Sequence, residues 1–141
     1  MPIKTITKFP RKTKEIENFW ITMSDGVKLA ARMFLPVDAE KNPVPALLEY
    51  LPYRKRDGTH VRDALTHPYL AGHGYASIRV DMRGNGDSEG LMHDEYTTQE
   101  QDDALEVIAW LAKQKWCSGK VGMFGISWGG FNGLQDRKST R

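Results

Sequence analysis

An α/β domain with a largely parallel sheet, entered through an antiparallel edge, is the fold class the sequence predicts, and three observations carry it. Two runs with apolar residues at alternate positions are joined through Ser24-Asp25-Gly26, the signature of a hairpin with one buried face. Short apolar runs at 46–51, 75–80 and 121–124 alternate with stretches of helical character, and such alternation favours parallel pairing. The last of these runs delivers a serine between glycines, Gly125-Ile126-Ser127-Trp128-Gly129.

Taken in order, residues 1–18 read as a basic amino-terminal arm, in which Lys4, Lys8, Arg11, Lys12 and Lys14 precede any acid. Phe19, Ile21 and Met23 form the first half of the hairpin, and Val27, Leu29, Ala31, Met33 and Leu35 the second, up to Pro36. A loop follows to Pro45, then a compact strand over 46–51 that stops at Pro52. Glu49 interrupts that strand and is expected to pair with a nearby arginine. The cationic loop 53–58, which starts at Tyr53, leaves the carboxyl end of this strand, the side of an open parallel sheet where ligands bind.

Residues 59–73 hold His60, His67 and His73, with spacings of seven and six that do not share one helix face, so no metal is expected there. Pro68 is expected to prevent one continuous helix through the stretch. Tyr75, Ala76, Ile78 and Val80 make the next strand, and 81–90 a glycine-rich loop. Its third glycine falls one place too late for a dinucleotide fingerprint, and Asp87 and Glu89 would repel a pyrophosphate, so the loop reads as structural. Thr97 and Thr98 stand at capping-box spacing from Glu100 and Gln101, and Ala104, Val107, Ile108 and Leu111 recur at helical spacing. A turn containing Cys117, read as a packing residue, leads back into 121–124, expected to be a strand buried on both faces.

The pattern Gly125-x-Ser127-x-Gly129 after a strand is that of a nucleophile elbow, where a sharp turn lifts a serine oxygen above the sheet. The outer glycines have a steric reason: a side chain at either position would collide with the neighbouring strand or helix.

Composition sets outer limits. The chain has 141 residues, 40% hydrophobic and 27% charged, with a formal net charge of +2, within the range of one soluble globular domain. No aromatic residue interleaves the charges of the arm before Phe9, and no basic recognition helix follows, so nucleic acid is not an expected partner. Apolar runs fall short of the ~18 residues that cross a bilayer, no secretory leader is recognisable, and a cytoplasmic location without membrane contact is the expectation. One cysteine forms no internal disulfide. No cofactor is expected.

Four segments then resemble the α/β-hydrolase superfamily, and within it the X-Pro dipeptidyl-peptidase and cocaine-esterase group of acyl esterases. They are Met23-Ser24-Asp25-Gly26-Val27-Lys28-Leu29-Ala30, Pro52-Tyr53-Arg54-Lys55, the loop from Asp81 to Gly90, and Trp116-Cys117 through Gly130, in the family's order. The resemblance implies Ser127 as nucleophile, with the backbone N–H of Trp128 and the hydroxyl of Tyr53 forming the oxyanion hole. It implies a small ester, amide or short peptide as substrate, cleaved through an acyl-enzyme. In this superfamily the acid and histidine of the triad follow the serine, yet the only acid after Ser127 is Asp136 and no histidine follows. His93 and Asp94 lie upstream, in the wrong order.

The ending 136–141 resembles translated adapter sequence more than the family. Residues 19–135 therefore read as a partial α/β-hydrolase domain, an edge hairpin followed by parallel strands with flanking helices, truncated just after the elbow and inactive alone. The alternative is a short, non-catalytic relative that binds or assembles through the same crevice. A metal-dependent hydrolase is a third possibility.

Overall fold

A computed structural model describes residues 8–136. Lys4 of the expected arm and residues 137–141 of the expected tail lie outside them. The order of elements is β1 (Thr13–Thr22), β2 (Lys28–Pro36), β3 (Val44–Leu51), α1 (His60–Gly72), β4 (Ala76–Asp81), α2 (Thr98–Ala112), β5 (Cys117–Met123) and α3 (Trp128–Gln135). The strands form one mixed sheet in the order β1-β2-β4-β3-β5. β1 and β2 pair antiparallel, as do β2 and β4, whereas β3 is parallel to both β4 and β5.

The hairpin closes through Asp25-Gly26. Gly26 sits at φ +88°, and Met23 N–H donates to the Val27 carbonyl at 2.8 Å. β1 begins at Thr13, inside the stretch read as a basic arm. As an edge strand it stays largely exposed, so the lysine-rich start, with little apolar periodicity, still pairs through its backbone.

Alternation along the strands sorts the helices onto opposite faces. Leu48 and Tyr50 of β3 and Ile78 and Val80 of β4 join Ala104, Val107 and Leu111 of α2 in one core. The odd-numbered neighbours Glu49 and Ser77 instead meet His67 of α1. Period-two geometry requires this separation. Val107 and Leu111 are fully buried, worth about 1.5–3 kcal/mol each. Thr97 caps α2 by accepting from Glu100 N–H at 3.3 Å, as the capping spacing predicts.

Two expectations need correction. α1 runs unbroken from His60 to Gly72 with Pro68 inside it. A proline removes one helical hydrogen bond, and here the buried residues His67 and Ala71 on either side hold the helix against the sheet. β5 starts at Cys117, earlier than the apolar run, and it is an edge strand: Ser118 to Lys120 are exposed and Val121 to Met123 only half-buried. Among the described residues β5 pairs with β3 alone, and Val121 and Met123 pack against the core only in part, short of the full burial expected. Gly119 at φ +82° takes up a bulge that resets the register from Val44–Cys117 to Ala46–Val121.

Glu49 has the arginine partner expected of it, and more. Its Oε2 accepts from Arg62 and lies 3.2 Å from His67 Nε2, while His67 Nδ1 lies 2.7 Å from Ser77 Oγ. An ionised carboxylate only accepts, so Nε2 carries the proton. Ser77, His67 and Glu49 have the composition of a catalytic triad, but all three are fully buried, out of reach of any substrate. Glu49, Asp63 and His67 also offer three close-set donor atoms. Arg62 and Arg79 already pair with the two carboxylates, so their charge is met by guanidinium.

Burial opposes the charge on Glu49, but hydrogen bonds from His67 and Arg62 overcome it and hold the carboxyl below its ordinary value of 4.5. A depressed acid stabilises the fold fully above its unfolded value and loses that contribution as pH falls through the lower folded value. Glu49→Gln is therefore expected to cost about 2 kcal/mol near neutrality, the worth of a charge-assisted hydrogen bond. Urea denaturation of the full-length gene product at stepped pH should show the gap between wild type and variant closing below pH 4.5. A gap that widens in acid contradicts this account of Glu49.

Candidate active site

The carboxyl ends of β3, β4 and β5 bring three loops together. At β5, Phe124 N–H still donates to the Leu48 carbonyl at 3.0 Å, after which the chain turns sharply into α3. Ser127 occupies the turn at φ +55°, ψ −118°, a sparsely populated region for a residue with a side chain, sustained only where the surroundings impose it. The side chain is exposed.

The glycines supply that constraint. A Cβ on Gly125 would lie 2.6 Å from the carbonyl carbon of Gly129 in the first turn of α3, and one on Gly129 would lie 2.8 Å from Leu51 Cδ2 on β3. The two sites differ in what has to yield. Leu51 can swing its methyl aside, whereas the Gly129 backbone cannot move without displacing Ser127. Gly125→Ala is expected to cost about 3 kcal/mol, the upper range for overpacking, and Gly129→Ala less. Denaturant midpoints of the two variants in the full-length gene product check the order, and the reverse order contradicts the assignment of Gly125 as the rigid contact.

Tyr53 arrives from the loop after β3. Arg54 adopts φ +55°, and its carbonyl accepts from Gly58 N–H at 2.9 Å and Thr59 N–H at 3.1 Å. A Cβ at Gly58 would overlap the Tyr53 carbonyl oxygen, so this tight turn requires glycine. Asp81, fully buried at the end of β4, fastens the loop: Oδ1 accepts from Lys55 N–H at 2.8 Å, and Oδ2 from Asp87 N–H at 3.3 Å in the glycine-rich loop. Burial raises the Asp81 carboxyl above its ordinary value, partly offset by Arg79 and these two N–H donors. Lys55 Nζ adds bonds to Asn18 Oδ1 at 2.8 Å and Asp87 Oδ2 at 3.0 Å.

So fixed, the half-buried Tyr53 places its hydroxyl oxygen 3.4 Å from Trp128 N, whose N–H points at it. Two donors, a backbone N–H at the start of α3 and a phenol O–H, thus stand together beside Ser127. Such a pair can bind an oxygen that becomes negative during acyl transfer. The Trp128 indole is held from the other side. Its Nε1–H donates to Glu100 Oε1 at 2.7 Å, and its ring lies 4.9 Å from that of Tyr96.

Sequence reasoning singled out Ser127, Tyr53 and Trp128 and missed Asp81 and Glu100, which fix two of them. Arg83 escaped it too. This guanidinium grips buried Asp103 of α2 through two 2.7 Å bonds and reaches Asp25 of the hairpin turn at 2.8 Å. Among the described residues no histidine bonds to Ser127 Oγ. His60 Nδ1 lies 3.1 Å from Arg32, His73 faces the Tyr69 carbonyl at 2.7 Å, and His93 and Asp94 sit on an exposed loop. Asp136 caps the end of α3.

This sheet order with a strand–serine–helix turn at its carboxyl edge defines an α/β-hydrolase. Residues 25–139 match the family described as X-Pro dipeptidyl-peptidase (S15 family). The chain belongs to that family, a family of hydrolases. It is 39% identical over 117 residues to the cocaine esterase of Rhodococcus sp. (strain MB1 Bresler), a match covering 79% of this chain and 19% of the relative. The chain therefore spans about a fifth of that relative's length. Among solved structures, an α-amino acid ester hydrolase superposes with a TM-score of 0.66 at 27% identity, over 93% of this chain and 24% of that one. A CocE/NonD family hydrolase from Staphylococcus aureus shares the fold, with a TM-score of 0.70 at 24% identity over 81% of this chain and 23% of that one. No helix among the described residues is long and apolar enough to cross a membrane.

Proposed function

We propose that this chain supplies the nucleophile and oxyanion hole of a serine hydrolase, an acyl esterase or X-Pro dipeptidyl-peptidase-like enzyme. Its substrates are small esters, amides or short peptides, cleaved through an acyl-enzyme on Ser127. The observation that carries the reading is the strained, exposed Ser127 at φ +55° beside Trp128 N–H and the Tyr53 hydroxyl, 3.4 Å apart. Ser127 Oγ attacks the carbonyl carbon, the carbonyl oxygen takes the electron pair, and the two donors bind it. The tetrahedral intermediate collapses by expelling the alcohol or amine, leaving the acyl group on Oγ until water removes it. A serine hydroxyl needs a base to take its proton. We assign that base, and the acid that orients it, to polypeptide outside these 141 residues, because no described histidine meets Ser127.

The test is pre-steady-state kinetics of the full-length gene product on a p-nitrophenyl ester. A burst of nitrophenol equal to the enzyme concentration is expected, and the 141-residue chain alone should give none. Turnover that is linear from the first millisecond, together with labelling of no serine, overturns the acyl-enzyme.

A further inference from the structure

Glu100 is almost fully buried, and its neighbours set it apart from the other buried carboxylates. Glu49, Asp63, Asp81 and Asp103 each face an arginine. Among the described residues no lysine or arginine lies within ion-pair distance of Glu100. Its two oxygens are instead taken by single N–H donors: Trp128 Nε1–H at 2.7 Å on Oε1, and Tyr96 N–H at 3.0 Å on Oε2. Its own N–H bonds to Thr97 Oγ1, and its carbonyl accepts from the Tyr50 hydroxyl at 3.3 Å. The carboxylate sits in the first turn of α2, where the helix favours negative charge. In a capping box the acid turns back to the N–H of the cap residue. Here that N–H belongs to Thr97, but the carboxylate reaches one residue further, to Tyr96, and spends its other oxygen on the residue after the serine.

We infer that Glu100 is a positioning residue. It holds the Trp128 indole so that the Trp128 backbone N–H stays aligned with the Tyr53 hydroxyl on the substrate's oxyanion. This rests on the assignment of Ser127 and the oxyanion hole above. Two further residues fit a brace. Tyr96, held at φ +57° with its N–H on Glu100, packs its ring 4.9 Å from Trp128 and 4.5 Å from Phe131. Asn132 Nδ2, one turn along α3, donates to the Tyr50 carbonyl at 3.0 Å. The elbow helix is thus tied to the start of α2 and to β3, and Glu100 is the tie that acts on the residue bearing the donor.

The experiment compares Glu100→Gln, Trp128→Phe and the double variant in the full-length gene product on an activated ester, with Ser127→Ala alongside. Misplacing one donor without removing it is expected to lower kcat about 10- to 100-fold, with KM within about twofold. The effect should not multiply: once Trp128→Phe has removed the indole N–H, Glu100→Gln should add little further loss. A merely structural acid would lower folded yield in both backgrounds and leave kcat per folded molecule unchanged. Glu100→Gln at the wild-type kcat, or losses that multiply in the double variant, overturns the brace. Where Glu100→Gln fails to fold, Trp128→Phe carries the test alone, and an unchanged kcat overturns the proposal. Activity surviving in Ser127→Ala would instead overturn the reading of the site itself; an inert Ser127→Ala beside a fully active Glu100→Gln overturns the brace only.

Discussion

Replacing Ser127 with alanine is expected to lower kcat of the full-length gene product on an activated ester by about 10⁵–10⁶-fold, roughly 7–8 kcal/mol of transition-state stabilisation. KM should stay near the wild-type value, because the hydroxyl contributes to bond making and little to holding the substrate. The fold should persist. Alanine keeps the Cβ that the φ +55° turn already accommodates, and the exposed hydroxyl makes no contact that the core depends on. Steady-state kinetics with a circular-dichroism control measures this. A variant that keeps a tenth of the activity would remove Ser127 from the chemistry.

Tyr53→Phe has the second-largest expected effect. Removing one oxyanion donor typically lowers kcat by ~10²–10³-fold, or ~2.7–4 kcal/mol. The loop should keep its shape, since the Arg54 turn and the Lys55 N–H bond to Asp81 at 2.8 Å do not involve the phenol oxygen. The loss should fall on kcat with KM little changed, the signature of an interaction made only in the transition state. A fall in KM-controlled binding with kcat intact would make Tyr53 a substrate contact and leave Trp128 N–H as the only donor of the pair.

What the sequence could show follows from the range of the interactions involved. The hairpin, β3, β4 and α2 rest on local periodicity and turn chemistry, and Phe19–Met23, Leu29–Leu35 and Ala104–Leu111 display those periods openly. The elbow was legible for a similar reason. Gly125, Ser127 and Gly129 form a local steric unit whose glycines are demanded by contacts at 2.6 and 2.8 Å. Pro68 misled because its local cost is outweighed by the burial of His67 and Ala71, which depends on strands distant in sequence. β5 differs for another reason: an apolar run speaks for burial, but burial needs neighbours, and among the described residues β5 has β3 as its one strand partner.

The supporting residues were the hardest to see. Asp81 reads as the first residue of a glycine-rich loop, and Glu100 reads as half of a capping box. Their partners, Lys55 in the loop after β3 and Trp128 at the start of α3, are distant in sequence, and only the sheet order brings them together. Nothing local to Asp103 signals that it is the buried partner of Arg83.

The most direct test of the acyl-enzyme is to quench the full-length gene product in acid during turnover of a p-nitrophenyl ester and weigh its proteolytic peptides. The peptide containing Ser127 should carry the mass of the acyl group, and the Ser127→Ala protein should carry none. An adduct on a different residue, or product formed at full rate with no adduct on any peptide, would contradict the assignment of Ser127 as the nucleophile.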